Sequence, residues 1–157
     1  MIKTILACVS SAKTGQQLLE SVGRIAKNFG YNFFRGSSNK GGKEAITHYR
    51  IISRYRAHTH VQLNLETGRT HQIRVHMAHI NHRLVGDPLY GGRLQMPVAS
   101  SPGLTNILQN FKRQALHAKS LTFMHPETGR QVSWEVETTN DMRELLVALR
   151  SDDEKAD

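Results

Sequence analysis

Basic and polar side chains concentrate where an alternating segment of the sequence gives way to a helical one. Val61, Leu63 and Leu65 alternate with polar residues, which predicts a strand with one buried face. Gly68 interrupts this pattern, since glycine turns without the Cβ clash of other residues. The residues just beyond it that could bind a ligand or act in catalysis are Arg69, His71, Gln72, Arg74 and His76. At a strand-turn-helix corner such side chains converge with backbone N–H groups, which predicts a site for an anion.

A short helix is predicted to follow the turn. Thr70 has the side chain of an N-cap residue, and Ile73, Met77 and Ile80 are spaced to bury one helical face. The packed helix would then hold Arg74 close to the corner.

Three separated segments of the chain carry a more specific signal. The central one, residues 68–92, reads GRTHQIRVHMAHINHRLVGDPLYGG; it is preceded by GKEAITHYR at 42–50 and followed by RQALHA at 113–118. In these patterns and in this order, the chain resembles the C-terminal half of the catalytic domain of the RluA/RluD-type RNA pseudouridine synthases. The resemblance runs from about residue 42 to residue 150.

The resemblance implies a reaction and a set of roles. Enzymes of this type isomerise uridine to pseudouridine in RNA, here large-subunit rRNA, without a cofactor. An aspartate carboxylate acts as nucleophile, and an arginine keeps it ionised. Arg74 ends the G-R-x-H-Q-x-R pattern and is implied to be that arginine, although an exposed helix arginine in a surface ion pair is the alternative. The candidates for RNA contact are Arg69, His71, Gln72, His76 and Lys43.

Three of these candidates also have non-functional interpretations. Arg69 and His71 fit the ordinary polarity of a helix N-terminus as well as they fit contact with a phosphate or a base. Gln72 fits a role in holding the corner together better than a role in the binding pocket.

The nucleophile of the family is missing from these 157 residues. It lies upstream in a His-Arg-Leu-Asp pattern, which does not occur here, and residues 1–40 contain no aspartate. Tyr31 and Tyr49 lie in the wrong contexts to replace the family's base-packing tyrosine. We therefore expect the isolated chain to be inactive or strongly impaired, as a truncated frame, a split enzyme or a degenerate paralogue. The alternative is a non-catalytic RNA-binding module or a truncated remnant.

A second carboxylate and several histidines lie in the same region. Asp87 occurs in a Gly-Asp-Pro turn, where aspartate typically bonds its own backbone, so we predict a turn-forming role and not a catalytic one. His76, His79 and His82 are three residues apart, a spacing that suggests zinc. No second group of ligands completes such a site, and we predict no metal.

Composition limits the class of protein. Lys and Arg number 21 against 13 for Asp and Glu, giving a formal charge of +8, which favours polyanionic partners such as RNA. The single cysteine, Cys8, excludes an internal disulfide and is typical of a reducing compartment. The apolar start is short and interrupted by Lys3, unlike a secretory signal, and no run is long enough to span a membrane. We therefore expect a cytoplasmic protein without membrane association.

Periodicity predicts an α+β fold, with a mixed, largely antiparallel sheet and helices packed on it. Strands are predicted at 45–55, 60–66, 116–124 and 131–137, and helices at 18–29, 104–111 and from Asp141. The domain organisation follows as a divergent N-terminal helix and basic Gly/Ser loop at 1–41, a partial catalytic domain at 42–150, and a polar, fraying tail at 151–157. Trp134 and the stripe of Leu145, Leu146 and Leu149 are predicted core.

Because upstream strands of the family's sheet would be absent, we expect an exposed edge or apolar face, unless the N-terminal helix, a second chain or a dimer covers it.

Overall fold

The computed structural model describes residues 2–10, 32–36 and 45–155. Within them six strands form one sheet: β1 (Ile2–Ser10), β2 (Asn32–Gly36), β3 (Ala45–Arg54), β4 (His58–Leu65), β5 (Leu116–Met124) and β6 (Gln131–Glu135). The helices are α1 (Gln72–His79), α2 (Pro102–Asn110) and α3 (Asn140–Glu154). The strand order is β2-β3-β4-β1-β5-β6, and every neighbouring pair is antiparallel. The predicted α+β class is confirmed.

The centre of the sheet is β1, a strand that the sequence patterns did not predict. It pairs with β4 on one side and β5 on the other; Cys8 lies opposite His60, and Leu6 lies opposite His117. The five consecutive residues from Ile5 to Val9 are all buried. A continuous apolar run of this kind is typical of a strand covered on both faces, and it lacks the alternation of a half-buried strand.

The sheet has a core on each face. On one face, Ile73, Met77 and Ile80 pack against apolar side chains of β1, β3 and β4. On the other face, α2 and α3 contribute Leu104, Leu108, Met142, Leu145 and Leu149 to a cluster that includes Cys8. The apolar stripes predicted for α1 and α3 are therefore confirmed, with Leu146 only partly buried against the second cluster, and the helix predicted at 104–111 corresponds to α2.

The prediction that Trp134 belongs to the core is wrong. Its side chain is 53% exposed on β6, an edge strand, and its ring lies beside Phe123 of β5 with the ring centres 5.3 Å apart. Val136 is exposed to the same extent. The alternating pattern correctly predicts the strand, but it does not indicate what covers each face. In the described part of the chain, nothing covers the Trp134 side of this edge strand.

The tail does not fray from residue 151, because α3 continues to Glu154. Asp152 is buried, and its carboxylate accepts hydrogen bonds from the Ser101 N–H at 2.6 Å and from the Arg56 guanidinium at 2.8 Å. These contacts stabilise the last helical turn, which charge alone would leave in solvent.

The predicted helix at 18–29 and most of the Gly/Ser loop, including Lys43, lie outside the described residues, as does Tyr31. The domain boundary at residue 41 stays a prediction; β1, which precedes it, pairs with β4, which follows it. None of the helices that the structure describes has the length and apolar character needed to cross a membrane.

Candidate functional site

The predicted corner joins β4 to α1, but its cap differs from the prediction. His71, not Thr70, occupies the N-cap position, with a left-handed backbone (φ 54°, ψ 18°) and no side-chain cap. The Gln72 side chain takes over part of the cap's role, since its Oε1 accepts the Arg69 N–H at 3.1 Å. The side chain that accepts this N–H group therefore belongs to the first turn of the helix itself. The residue type at the N-cap position does not predict such an arrangement.

Gln72 connects the corner to β3. Its Nε2 donates to the Ile46 carbonyl at 3.0 Å and to the Thr47 hydroxyl at 2.9 Å, and its Oε1 accepts the Thr67 hydroxyl at 2.8 Å. The side chain is buried and both ends of its amide are bonded. These contacts support the structural interpretation of Gln72 over its assignment to RNA contact.

His76 extends the same network. Its Nδ1 lies 2.9 Å from the Thr47 hydroxyl, and the residue is buried. Burial, with a smaller effect of His79, lowers the pKa of His76 to about 4, so the ring is neutral at neutral pH. An uncharged, buried imidazole offers no surface to a phosphate, and we interpret His76 as part of the scaffold instead of the predicted RNA contact.

Arg74 forms a bidentate ion pair with Asp87. Its Nε donates to Oδ2 and its Nη2 to Oδ1, both at 2.7 Å, and the side chains are 12% and 0% exposed, respectively. Oδ1 also accepts the backbone N–H groups of Leu89 and Tyr90, each at 2.9 Å. The predicted turn-forming role of Asp87 is confirmed, and its pairing with Arg74 is an addition that the sequence did not reveal.

The pair is electrostatically stable in its ionised form. Burial alone would raise the pKa of Asp87, but hydrogen bonds from Arg74, Tyr90 and Leu89 outweigh it and lower that pKa to about 2. The same hydrogen bond raises the pKa of Arg74. Both groups are therefore charged throughout the neutral range.

Part of the Arg74 guanidinium remains available. A guanidinium carries five N–H donors, and Asp87 engages one on Nε and one on Nη2. The Nη1 atom has no acceptor among the residues that the structure describes. The guanidinium carbon lies 5.0 Å from the centre of the Tyr90 ring, a cation–π distance. The edge formed by Nη1 and Nη2 matches the fork geometry that binds a second carboxylate or a phosphate.

Tyr90 brings His71 and Arg74 together. The Tyr90 hydroxyl lies 3.3 Å from His71 Nδ1, and the two rings meet edge-on with centres 5.6 Å apart. His71 and Arg69 are both exposed at the corner. Tyr90 is not predictable as a site residue from periodicity, because it lies 16 residues beyond Arg74 in the chain. The only sequence signal for it is its place in the LVGDPLY segment.

Glycines fix the turn that carries Asp87. A Cβ on Gly91 would lie 2.3 Å from the Asp87 carbonyl oxygen, which accepts the Gly91 N–H at 3.0 Å. Gly86 has φ 67°, and a Cβ there would lie 2.3 Å from the Arg113 carbonyl oxygen. Only glycine fits such approaches, so the turn in this conformation requires glycine at both positions.

The remaining predicted features make no contact with the Arg74–Asp87 pair among the contacts of the described residues. Arg113, from the third family-like segment, pairs with Asp141 at the start of α3 at 2.7 Å. His82 is buried, and its pKa is lowered by burial. Within residues 2–10, 32–36 and 45–155, no three His, Cys, Asp or Glu side chains are grouped as a metal site would require.

Comparisons with known proteins agree with this geometry. The family model described as RNA pseudouridylate synthase matches residues 7–79. The chain also shares the fold of two human structures, RNA pseudouridylate synthase domain containing 4 and 1, with TM-scores of 0.63 and 0.59 at 18% identity. These alignments cover 95% and 96% of this chain and 62% and 66% of the human chains. Over residues 7–79 the chain therefore matches the RNA pseudouridylate synthase family in sequence, and it shares the fold of these two structures.

Within that class, its similarity is to the RluA/RluD type, as the sequence patterns implied. It is 54% identical over 113 residues to the ribosomal large subunit pseudouridine synthase D of Pseudomonas aeruginosa, and 53% identical over 114 residues to that of Escherichia coli K12. These alignments cover 72% and 73% of this chain but 35% of each relative. The chain thus matches about a third of the length of these curated relatives.

Proposed function

We propose that this chain carries the arginine-bearing part of a uridine-isomerising site and binds structured RNA, with large-subunit rRNA as the substrate class. The observation that carries the proposal is the Arg74 guanidinium, held by Asp87 on one edge and unpartnered among the described residues on the other. The names of the similar synthases and the charge of +8 support RNA as the ligand.

The proposed chemistry needs a carboxylate that this site does not offer. In the isomerisation the N1–C1′ bond of uridine breaks, the base rotates, a C5–C1′ bond forms, C5 loses its hydrogen and N1 gains a proton. Where a carboxylate nucleophile is present, it would take the free edge of Arg74, which would keep it ionised. In this chain, which lacks one in the family's pattern, that edge is open to an RNA phosphate. Asp87 is unsuited to that role, because its side chain is 0% exposed and both oxygens accept hydrogen bonds. The 157 residues, tested as an isolated polypeptide, would therefore bind RNA without isomerising uridine.

Binding to an unmodified large-subunit rRNA transcript, measured across a range of salt concentrations, tests the RNA half of the proposal. We expect the dissociation constant to rise steeply with salt, as contacts to phosphates require. Binding that does not respond to salt would contradict it.

A charge-conserving variant tests the site. Arg74→Lys keeps the net charge but replaces a bidentate fork by a point charge, so we expect weaker binding. Arg130→Lys is the matched control, because Arg130 is exposed in the β5–β6 turn, and β1 separates β5 from β4 in the sheet. Equal affinities for the two variants would contradict a role for the Arg74 edge.

A non-catalytic RNA-binding module is the second candidate. The engaged carboxylate of Asp87 favours it, since no other carboxylate in the described part of the chain pairs with Arg74. It predicts the same binding, and again no modification of the RNA.

A further inference from the structure

We infer that Asp87 is a positioning residue, which orients Arg74 so that its Nη1–Nη2 edge faces the bound RNA. The inference rests on the proposed function and deepens it. It assigns Asp87 neither the nucleophile's role nor a role in the turn alone.

The contacts of Arg74 determine the orientation of its guanidinium. Two hydrogen bonds to Asp87, from Nε and Nη2, fix the direction of the guanidinium plane, and the Tyr90 ring lies 5.0 Å from its central carbon. A single hydrogen bond would leave the plane free to rotate about it, whereas the bidentate pair does not. The remaining fork then points away from Asp87.

Asp87 is itself held in place. The Leu89 and Tyr90 N–H groups bond Oδ1, and a Cβ at Gly86 or Gly91 would lie 2.3 Å from a backbone carbonyl oxygen. The backbone of the turn thus holds the carboxylate that pairs with Arg74. Tyr90 belongs to the same turn, and its ring contacts the same guanidinium.

The direction in which Asp87→Asn changes RNA affinity distinguishes a positioning role from a general electrostatic effect. Asp87→Asn removes a negative charge close to the proposed RNA surface, and long-range electrostatics alone predicts tighter RNA binding. The amide would keep an acceptor for Leu89 and Tyr90, but it would lose the charged bidentate partner of Arg74. Positioning predicts weaker binding, the opposite sign.

The first test compares Asp87→Asn with Asp141→Asn for binding to an unmodified large-subunit rRNA transcript. Asp141 also forms a bidentate pair, with Arg113 at 2.7 and 2.8 Å, but it lies at the start of α3, which packs on the opposite face of the sheet from α1. We expect the dissociation constant to rise about tenfold for Asp87→Asn and to stay equal or fall for Asp141→Asn. Equal or tighter binding by Asp87→Asn would overturn the inference.

A double variant tests whether Asp87 influences RNA binding through Arg74. If Asp87 acts through Arg74, then Arg74→Lys with Asp87→Asn binds RNA no more weakly than Arg74→Lys alone. If the losses of RNA affinity in the two single variants instead multiply in the double variant, Asp87 acts independently of Arg74, and the inference is overturned. Should Asp87→Asn fail to fold, Asp87→Glu retains the charge but displaces the guanidinium by one methylene, and weaker binding is again expected.

A spectroscopic readout needs no RNA. The Arg74 Nε–H, bonded to Asp87, should give a slowly exchanging signal in ¹⁵N NMR that Asp87→Asn abolishes. A rapidly exchanging Arg74 signal in the unchanged chain would overturn the positioning role. A protected signal combined with no RNA binding would instead contradict the proposed function, so the two failures are distinguishable.

Discussion

Arg74 and Asp87, 13 residues apart in the chain, form a bidentate ion pair with both N···O distances at 2.7 Å. The partner expected for Arg74 from the family resemblance was an aspartate that these 157 residues do not contain in the expected pattern. The structure shows that one edge of the guanidinium is already engaged by a buried carboxylate, which leaves the other edge for a ligand. The following predictions test this arrangement and the scaffold around it.

The ion pair makes stability depend on acid. The folded-state pKa of Asp87, about 2, lies below its ordinary value of 3.8, so its stabilising contribution is complete above pH 3.8 and is lost as pH falls towards 2. The shift corresponds to roughly 2 kcal/mol in the free energy of unfolding. Urea titrations between pH 5 and pH 2 should show a shallower pH dependence for Asp87→Asn than for the unchanged chain. Parallel curves would show that Asp87 is not held as described.

Buried histidines predict a second loss of stability at mild acidity. Burial, partly offset by Asp152, lowers the pKa of His58 to about 4, and neither ring nitrogen has a hydrogen-bond partner among the described residues. The unfolded chain takes up this proton near pH 6.5 and the folded chain near pH 4, so stability falls as pH drops through that window. We expect His58→Phe to be no less stable at pH 7 and to lose less stability between pH 6.5 and 4. A marked loss at pH 7 would reveal a hydrogen bond that the ring now makes.

The Gln72 network is predicted to stabilise the corner. Gln72→Leu would remove the amide that bonds Ile46, Thr47, Thr67 and the Arg69 N–H, and would leave buried polar groups unsatisfied. We expect a loss of about 2–4 kcal/mol in the free energy of unfolding. Gln109→Leu, at an exposed position on α2, is the control and should change it by less than about 0.5 kcal/mol. Similar values for both variants would exclude a scaffold role.

A glycine pair tests how tightly the Asp87 turn is fixed. Gly91→Ala would place a methyl group 2.3 Å from the Asp87 carbonyl oxygen, so we expect it to be destabilising and to weaken RNA binding. Gly103→Ala meets nothing within 4 Å on α2 and should stabilise by up to about 1 kcal/mol, with RNA binding unchanged. Thermal unfolding measures the effects on stability, and the RNA-binding assay measures the effects on affinity. Unchanged RNA affinity in Gly91→Ala would show that RNA binding does not depend on the geometry of the Asp87 turn.

Local patterns predicted much of this fold. The stripes of Ile73, Met77 and Ile80 and of Leu145 and Leu149 repeat at helical spacing, and both are buried as expected. The centre of the sheet was missed because residues 5–9 are apolar without alternation. The exposure of Trp134 could not be predicted either, since periodicity indicates which residues share a face but not what covers it.

The site was predicted in part, for a related reason. Arg74 is predictable because it ends a recognisable pattern, and the turn at Asp87 is predictable because Gly-Asp-Pro favours one. The contact between them depends on how the chain folds back after α1, which no local pattern specifies. Tyr90 was missed for the same reason, and the interior position of Gln72 and His76 became visible only with β3 beside α1.

We propose above all that these residues hold the arginine side of a uridine-isomerising site without its nucleophile. Release of tritium from an unmodified large-subunit rRNA transcript labelled at uridine C5 tests it most directly, because that hydrogen leaves only when the base rejoins through C5. We predict salt-sensitive binding by the isolated 157-residue chain and no release above the protein-free control. Release above that control, abolished in Arg74→Lys and retained in Arg130→Lys, would contradict the account and show that the chain supplies its own nucleophile.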